Sequence, residues 1–522
     1  MPELWIYNVS WQVYITILVI LLIIFLLFIG SQFRRVSPSV PKEVIVAMGH
    51  SELSRDLTLF DITMLGVGAM IGAGIFVLTG LAAGIAGPAL LLAFLLNGFA
   101  TSMTALNYAE LGSAVPEAGG GYLWVKSSMG KYQAFLSGWM SWLAHIVAGS
   151  LYALGFGSYF AFFLQEIGMI SPSRDTHLLT QIFAVTIIIT FLIINFLGSS
   201  ETGSVGNIIT ITKVIIIGIF IVSGLWVALK NPSVNFSKLE PIIPPGDSFT
   251  VIFTAMGFTF IAFEGYEIIV QTGEEVEEPN MNIPKAIFYS LMIVVPIYFL
   301  VGLVSLVAVN PPGNEPTWQF LANIGELGLA EAARQFMPLG IGLMLFGGLV
   351  STLSALNATI YSSARVSFVM GRDNLLPKAF NQVNAWRRTP HVAIAVSGTI
   401  MIFIAVFLPI NEVASAADLL FVLLFLQVNL SIFKIRKKYS NKLFYGYKVP
   451  YFPLFPILSV IIQIGLGIAL VLHSHVALIG AIGWIIIGSI LWVTVVKRGL
   501  TEEITDSFAH YIINKDEEVD KE

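Results

Sequence analysis

The chain has 522 residues, of which 56% are hydrophobic and 11% are charged, with a net charge of −5 and no cysteine. A soluble domain carries about 25% charged residues, so most of this chain does not face water. The cysteine count excludes disulfides, thiolate metal sites and cysteine nucleophiles, and no basic stripe suggests nucleic acid as a partner.

The first apolar run extends from Trp11 to Gly30, close to the length that crosses a bilayer. Residues 1–10 contain no Lys or Arg, whereas a cleaved signal peptide begins with a basic segment. We therefore interpret residues 1–35 as an uncleaved transmembrane helix. Because its basic flank, Arg34 and Arg35, follows the apolar run, the N-terminus is predicted to lie outside.

Twelve further apolar runs predict membrane-spanning helices, which are numbered here as core helices 1 to 12. They lie at about 58–80, 88–110, 133–165, 178–197, 205–228, 248–272, 286–309, 337–366, 391–409, 414–435, 452–473 and 477–496. With residues 31–57 inside and the chain alternating from there, inside segments hold 22 of the 27 Lys and Arg residues. This asymmetry predicts a multi-pass protein of the plasma membrane whose tail, residues 499–522, is cytoplasmic.

Two of these runs are too rich in glycine to form regular helices. Core helix 1 contains Gly66, Gly68, Gly72, Gly74 and Gly80, and core helix 6 contains Gly257 and Gly265 beside Glu264 and Glu267. Glycine in a helix interior costs about 1 kcal/mol relative to alanine, and unwound backbone in a membrane is tolerated where it lines a cavity. The alternative is that the glycines allow close helix packing, which stays open above all for Gly66 and Gly68.

The two glycine-rich runs are the first and the sixth of the twelve. They hold equivalent places if residues 56–228 (helices 1–5) and 248–436 (helices 6–10) form inverted repeats, each opening with a discontinuous helix at the substrate site. Residues 450–498 would then add core helices 11 and 12 outside the repeats.

Four motifs occur in order over residues 58–390. They are Gly68–Phe76 (GAMIGAGIF), Tyr108–Gly112 followed by Pro116–Tyr122, Ala262–Glu267 followed by Asn282–Ile287, and Ser354–Ala358 followed by Gly371–Pro377. Together they resemble the amino acid–polyamine–organocation (APC) transporters, in particular the proton-coupled and cationic amino acid transporter branch. The resemblance implies an all-α membrane protein with a LeuT-type 5+5 inverted-repeat core, to which the N-terminal helix is an addition.

A broken helix can bind both ends of an amino acid through its backbone. Free amides at a half-helix N-terminus bind an anion, and free carbonyls accept from an ammonium. We predict that the amides of Gly72–Gly74 bind the carboxylate and that the carbonyls of Met70, Ile261 and Ala262 bind the ammonium, the division that the resemblance also implies. The predicted substrate site comprises Met70, Ile71, Gly72, Ala73, Gly74, Ile261, Ala262 and Glu264. No metal or organic cofactor is expected.

Core helix 6 departs from the family pattern at two positions. Where relatives commonly carry an aromatic residue that caps the substrate, this chain has Ile261, so Phe260 or Phe263 could form a gate only if the unwound segment is shifted. Glu267 fits the family pattern, but relatives usually have an apolar residue at Glu264. Three interpretations of Glu264 stay open: a partner for a cationic substrate side chain, a second protonation site, or a polar group satisfied by neighbouring helices.

Lys213 lies inside core helix 5, about eight residues from the start of that run at Val205. A charge near the helix centre costs at least a few kcal/mol, so a lysine there can release and rebind a proton near neutral pH. Proton-coupled relatives carry a lysine at this place beside helices 1 and 8. We therefore predict that Lys213 couples proton entry to transport. The alternative is a lysine that snorkels or pairs statically.

The leading hypothesis is a secondary active transporter that imports amino acids with protons by alternating access. A variant is an exchanger without proton coupling, and an amino acid-binding membrane sensor is the alternative from another class. An enzyme is disfavoured because no nucleophile–base or metal constellation stands out. The expected partners are an amino acid, protons and membrane lipids, whereas the identity of the amino acid and the oligomeric state are left open.

Overall fold

A computed structural model describes residues 10–37, 55–72, 74–117, 119–171, 176–197, 204–313, 315–387, 389–439 and 442–496. Within these ranges the chain is helical, and its one β-type pairing is an isolated bridge between Leu57 and Val276. Two predicted features, Ala73 and the tail at 499–522, lie outside the described residues.

Ten stretches of the described residues are long and apolar enough to cross a membrane. One of them, Leu59–Ala114, has 56 residues and covers both core helix 1 and core helix 2. Core helices 6 and 9 form shorter helical stretches, and together with the joining of core helices 1 and 2 this accounts for the difference between ten stretches and thirteen predicted runs. The chain is therefore a multi-spanning α-helical membrane protein.

The helix bounds follow the predicted runs. The N-terminal helix is Trp11–Gln32; core helix 1 is Leu59–Met70, Gly74–Leu78 and Thr79–Ala86; core helices 2 to 5 are Leu90–Ala114, Lys131–Glu166, Thr176–Leu197 and Ser204–Lys230. Core helix 6 is Thr250–Phe258, Phe260–Phe263 and Tyr266–Gln271; core helices 7 to 12 are Pro279–Val307, Gly340–Arg372, His391–Phe407, Ile410–Tyr439, Leu454–His473 and His475–Leu491. Shorter helices include Gly121–Met129, Thr317–Ile324 and Gly328–Phe336.

Core helix 1 begins with a strong local signal and is interrupted half-way. The Thr58 hydroxyl accepts from the Asp61 amide at 3.3 Å, and the Asp61 carboxylate accepts from the Thr58 amide at 2.9 Å, a capping box. The α-helix ends at Met70, and Ile71 has a non-helical ψ of 51°. The chain resumes as a π-helix at Gly74–Leu78, so the backbone hydrogen-bond ladder is broken inside the apolar run.

The two interrupted helices pack directly on each other. A Cβ atom added at Gly74 would lie 2.6 Å from the Cβ of Ala262, and one added at Gly265 would lie 2.5 Å from the carbonyl oxygen of Gly66. Only glycine permits this approach of backbone to backbone. Gly66 is itself a packing position, since a Cβ there would lie 2.6 Å from the Ser290 hydroxyl.

The N-terminal helix is attached to the core at both of its ends. At one end the Tyr14 hydroxyl donates to the Pro88 carbonyl at 2.8 Å, and the Trp11 ring stacks on Phe236. At the other end the Gln32 side chain accepts from the Tyr447 hydroxyl at 2.9 Å. The helix lies against core helices 2 and 7, so it is an integral part of the membrane domain.

A buried ion pair joins core helix 2 to core helix 10. The Arg436 guanidinium donates to both carboxylate oxygens of Glu110, and the Glu110 side chain is fully buried. The Val449 amide also donates to this carboxylate at 2.6 Å. The Glu110 carboxylate thus accepts hydrogen bonds from a guanidinium and from a backbone amide. These bonds offset the free-energy cost of burying its charge.

Candidate functional site

Two cavities lie beside the interrupted helices. The larger, which we call the vestibule, has a volume of about 130 Å³, and its mostly apolar wall also carries polar side chains: Asp61, Asn195, Asn207, Gln271, Ser354, Asn357 and Arg365. The smaller, the inner cavity, has about 20 Å³ and is lined by His145, Tyr152, Glu264, Glu267 and Thr359 among others. A cavity volume of about 10–15 Å³ holds about one water molecule, so the inner cavity is too small for an amino acid.

Of the residues that the structure describes, three line both cavities and therefore lie between them. These residues are Ala69 on core helix 1, Ile268 on core helix 6 and Ala358 on core helix 8. We call them the dividing wall. A molecule that passes from the inner cavity to the vestibule has to move between these three side chains, which belong to three different helices.

Lys213 is completely buried and bonds to two other helices. Its Nζ donates to the carbonyls of Gly68 at 3.2 Å and Ile71 at 3.4 Å, and to the hydroxyl of Ser354 on core helix 8. In the described part of the chain no ion pair includes Lys213, and its exposed fraction is 0%. The lysine therefore neither snorkels to the membrane surface nor pairs statically with a described carboxylate.

The backbone at the first interruption is held by side chains from core helices 7 and 8. The Tyr298 hydroxyl donates to the Met70 carbonyl at 3.0 Å, and the Ser351 hydroxyl donates to the carbonyls of Ile71 at 2.6 Å and Gly72 at 3.1 Å. A carbonyl has two lone pairs, so the Met70 oxygen keeps one acceptor position beyond the bond to Tyr298. Sequence reasoning did not identify Tyr298 or Ser351, because neither stands out in its own helix.

The second interruption is held by a carboxylate that the sequence analysis missed. The Ile261 amide donates to Asp418 Oδ1 at 2.5 Å, and Asp418 is fully buried in core helix 10. The signal was available, since Asp418 is a lone charge inside an apolar run, the same pattern that drew attention to Lys213.

The predicted aromatic gate residues pack inside the core. The Phe263 ring lies 4.6 Å from that of Tyr298, and the Phe260 ring lies 5.9 Å from that of Phe425, measured between centroids. Both side chains are buried, and the described lining of the inner cavity includes neither. A gating role for Phe260 or Phe263 stays a prediction.

Among the predicted substrate residues that the structure describes, Glu264 reaches the inner cavity and the others do not. Met70, Ile71, Gly72, Gly74, Ile261 and Ala262 surround it in the interrupted segments without forming its wall. Glu264 Oε2 is buried and has no hydrogen-bond partner among the described residues. Described residues of neighbouring helices therefore leave this oxygen without a partner, and the three interpretations of Glu264 stay open.

Glu267 also lines the inner cavity and is nearly as isolated. Its Oε1 accepts from the Gln271 amide at 3.2 Å, whereas its buried Oε2 has no partner among the described residues. The Glu267 side chain belongs to the helical part of core helix 6, one turn beyond Glu264. The inner cavity thus has two carboxyl groups on one side.

A charged cluster lies where the loop after core helix 2 meets the end of core helix 8. Lys126 forms an ion pair with Asp373 at 2.9 Å, and the Tyr122 hydroxyl donates to the same carboxylate at 2.6 Å. Burial and the neighbouring Glu274 raise the pKa of Glu117 to about 7. This cluster therefore carries a carboxyl group that titrates near neutral pH outside the membrane-spanning helices.

Residues 57–496 match the family model described as amino acid permease. The chain belongs to the amino acid permease family. Membership of this family indicates that the permease is a membrane transporter rather than an enzyme.

Curated relatives agree with this assignment. The permease is 29% identical to the branched-chain amino acid permease BcaP of Bacillus subtilis over 475 residues, which cover 89% of this chain and 97% of the relative. It is 30% identical to the methylthioribose transporter of the same organism over 443 residues, 82% and 91% of the two chains. It is 27% identical to the vacuolar cationic amino acid transporter 2 of Arabidopsis thaliana over 406 residues, 76% and 62% of the two chains.

Proposed function

We propose that the permease imports amino acids across the cell membrane together with protons, by alternating access through a LeuT-type 5+5 core. The observation that carries the proposal is the buried Lys213, which forms no ion pair with a described carboxylate and joins core helix 5 to core helices 1 and 8. Relatives named as permeases or transporters of branched-chain and cationic amino acids support an amino acid as the substrate.

The substrate is placed at the two interruptions. The amides that follow Ile71, at Gly72–Gly74, bind its carboxylate, and the second lone pair of the Met70 carbonyl accepts from its ammonium together with the carbonyls of Ile261 and Ala262. The close approach of Gly74 to Ala262 supports this placement, because it brings the two interrupted segments within reach of one small molecule.

The protonation state of Lys213 sets how tightly core helix 1 is held. An ammonium has three N–H donors and no acceptor, and the three contacts to Gly68, Ile71 and Ser354 use all of them. A neutral amine has two donors and one lone pair, so after loss of the proton it can no longer donate to all three oxygens, which weakens the links of core helix 5 to core helices 1 and 8. Ser354 also lines the vestibule, which gives the proton a route to leave.

Alternating access then amounts to opening and closing the dividing wall. In this conformation Ala69, Ile268 and Ala358 separate the inner cavity from the vestibule. The positive-inside asymmetry places the vestibule on the cytoplasmic side, because Arg365 and the loops around it belong to inside segments. Release of the substrate to the cytoplasm requires the three helices that carry these residues to separate.

The test is uptake of radiolabelled amino acids into proteoliposomes under an imposed pH gradient. We expect gradient-driven uptake by the wild type and its loss in Lys213→Ala, with exchange of internal for external amino acid retained. Lys230→Ala is the matched control, since Lys230 lies at the exposed end of the same helix. Full proton dependence in Lys213→Ala would contradict the proposal, and exchange without any pH dependence in the wild type would favour the exchanger.

A further inference from the structure

Three carboxyl groups lie at the second interruption: Glu267 and Asp418 are buried, and Glu264 is half-buried with its Oε2 oxygen enclosed. Glu264 and Glu267 line the inner cavity, and Asp418 accepts from the amide of Ile261, three residues before Glu264. Each has one buried oxygen without a hydrogen-bond partner among the described residues: Glu264 Oε2, Glu267 Oε2 and Asp418 Oδ2. We call these three residues the carboxyl cluster.

Positive charge to balance the cluster is not found nearby. The described lining of the inner cavity contains no Lys or Arg, and the Lys213 donors are used at Gly68, Ile71 and Ser354. The titratable groups that face the cluster from core helix 3 are His145 and Tyr152. His145 Nδ1 lies 2.7 Å from the Ser141 carbonyl, an acceptor, so Nδ1 carries a proton in either charge state and the contact demands no positive charge.

Three ionised carboxylates cannot share a buried site without a cation, because burial and mutual repulsion both disfavour the charged form. Two members have a donor that supports ionisation: Asp418 accepts from the Ile261 amide, and Glu267 accepts from the Gln271 side chain. The enclosed Oε2 oxygen of Glu264 receives no hydrogen bond from a described residue, and no donor to its other oxygen was found in the described part of the chain. Glu264 is therefore the member whose neutral, protonated form is favoured most.

Glu264 is also placed to exchange its proton. It caps the 3₁₀ segment Phe260–Phe263 and follows Ile261, whose amide contacts Asp418, by three residues. It lines the inner cavity, which the dividing wall separates from the vestibule. Opening of that wall would expose the Glu264 carboxyl group to water, whereas Asp418 does not line the cavity.

We propose that Glu264 is a second proton-carrying site, separate from Lys213, which holds a proton in this conformation and releases it to the vestibule when the dividing wall opens. The step is the ionisation of a carboxylic acid: the O–H bond breaks, the proton passes to water, and the carboxylate is then hydrated. The inference rests on the proposed proton-coupled transport and predicts that two protons accompany each neutral amino acid.

The number of protons transported with each amino acid distinguishes one proton-carrying site from two. In proteoliposomes clamped at zero membrane potential, each co-transported proton raises the limiting accumulation of substrate about tenfold per unit of pH gradient. With radiolabelled leucine as the probe, we expect about a hundredfold rise per pH unit for the wild type and about tenfold for Glu264→Gln. Glu331→Gln, whose carboxylate pairs with Arg334 away from the cavity, is the matched control and should match the wild type.

Each other outcome has a defined meaning. A tenfold rise in the wild type, or an unchanged slope in Glu264→Gln, would overturn the second proton site while leaving the proposed function standing. Selective loss of lysine uptake in Glu264→Gln, with the leucine slope unchanged, would show instead that Glu264 binds a cationic substrate side chain. A wild type without any pH dependence would overturn proton coupling as a whole.

A second measurement needs neither transport nor a known substrate. Infrared difference spectra of the purified permease at neutral pH, wild type minus Glu264→Gln, should contain the C=O stretching band of a protonated carboxyl group. Absence of that band, with the variant folded as judged by thermal unfolding, would show that Glu264 is ionised in the resting protein and would overturn the inference.

Discussion

Asp418 on core helix 10 accepts a hydrogen bond from the backbone amide of Ile261, in the interrupted part of core helix 6. The two residues are 157 positions apart, and the contact gives a non-helical amide in the membrane the partner that it needs. This bond fixes the second interruption in the same way that Ser351 and Tyr298 fix the first.

We expect Asp418→Leu to destabilise the permease by about 1–3 kcal/mol, because it leaves the buried Ile261 amide without an acceptor. Asp418→Asn is the matched variant, since its side-chain carbonyl can still accept from that amide. Thermal unfolding in detergent, with and without a transported amino acid, provides the measurement. Equal unfolding temperatures for the two variants would show that this hydrogen bond does not hold the interruption.

Gly74→Ala should reduce transport strongly and cost about 1–3 kcal/mol of stability, because the new methyl group would lie 2.6 Å from the Ala262 side chain. Gly218→Ala in core helix 5 is the control, since a Cβ there meets nothing within 4 Å. Uptake rates and unfolding temperatures of both variants check the prediction. Normal uptake by Gly74→Ala would show that the two interrupted segments can move apart without loss of transport.

Removing Arg436 alone should destabilise the protein by about 3–5 kcal/mol, because the fully buried Glu110 would keep its charge without a counter-ion. The double variant Glu110→Gln with Arg436→Gln should recover much of that loss, although the Val449 amide keeps only a weaker acceptor. The unfolding temperatures of the two single variants and of the double variant measure how strongly the Glu110 and Arg436 side chains depend on each other. Additive losses would mean that the two side chains do not act as a pair.

The charged cluster around Glu117 should make stability depend on pH. Its pKa is raised from 4.5 to about 7, first by burial and then by Glu274, while Lys126 and Arg372 act in the opposite direction and Asp373 adds to the rise. A carboxyl group whose folded-state pKa is raised binds more protons when folded, so its contribution to stability falls as the pH rises from about 4.5 to about 7.

Glu117→Gln removes this dependence. The difference in unfolding temperature between the variant and the wild type should therefore shift in favour of the variant as the pH rises through that window. Glu277→Gln, on an exposed part of the neighbouring loop, should leave the profile of the wild type unchanged. A constant difference between Glu117→Gln and the wild type from pH 4.5 to 8 would contradict the assignment.

The sequence was informative where a single residue type is energetically unfavourable in a membrane helix, whatever its neighbours are. A lysine in an apolar run, or two glycines in a membrane helix, breaks a rule that needs no knowledge of the neighbours, and Lys213 and the stretch around Gly72 were found in this way. Asp418, a charge in an apolar run, breaks the same rule and was overlooked. The contacts of Tyr298 and Ser351 could not be predicted, because they depend on which helices pack together across 228 and 280 positions.

The cavity itself also escaped prediction. Glu264 reaches it, whereas the glycines and carbonyls assigned to the substrate lie beside it, because the wall is built from core helices 1, 3, 6 and 8 at once. Residue spacing within a helix predicts which side chains share a face, but not which faces of four helices enclose a common space.

The N-terminal helix has a consequence for how the protein can move. It is held to the Pro88 carbonyl near one membrane face and to Tyr447 near the other, while its Phe33 ring packs on Tyr289 of core helix 7. A tilt of core helices 2 and 7 relative to the segment before core helix 11 would therefore change the distance between Gln32 and Tyr447. A pair of spectroscopic labels flanking that contact would report the angle of the bundle without touching the substrate path.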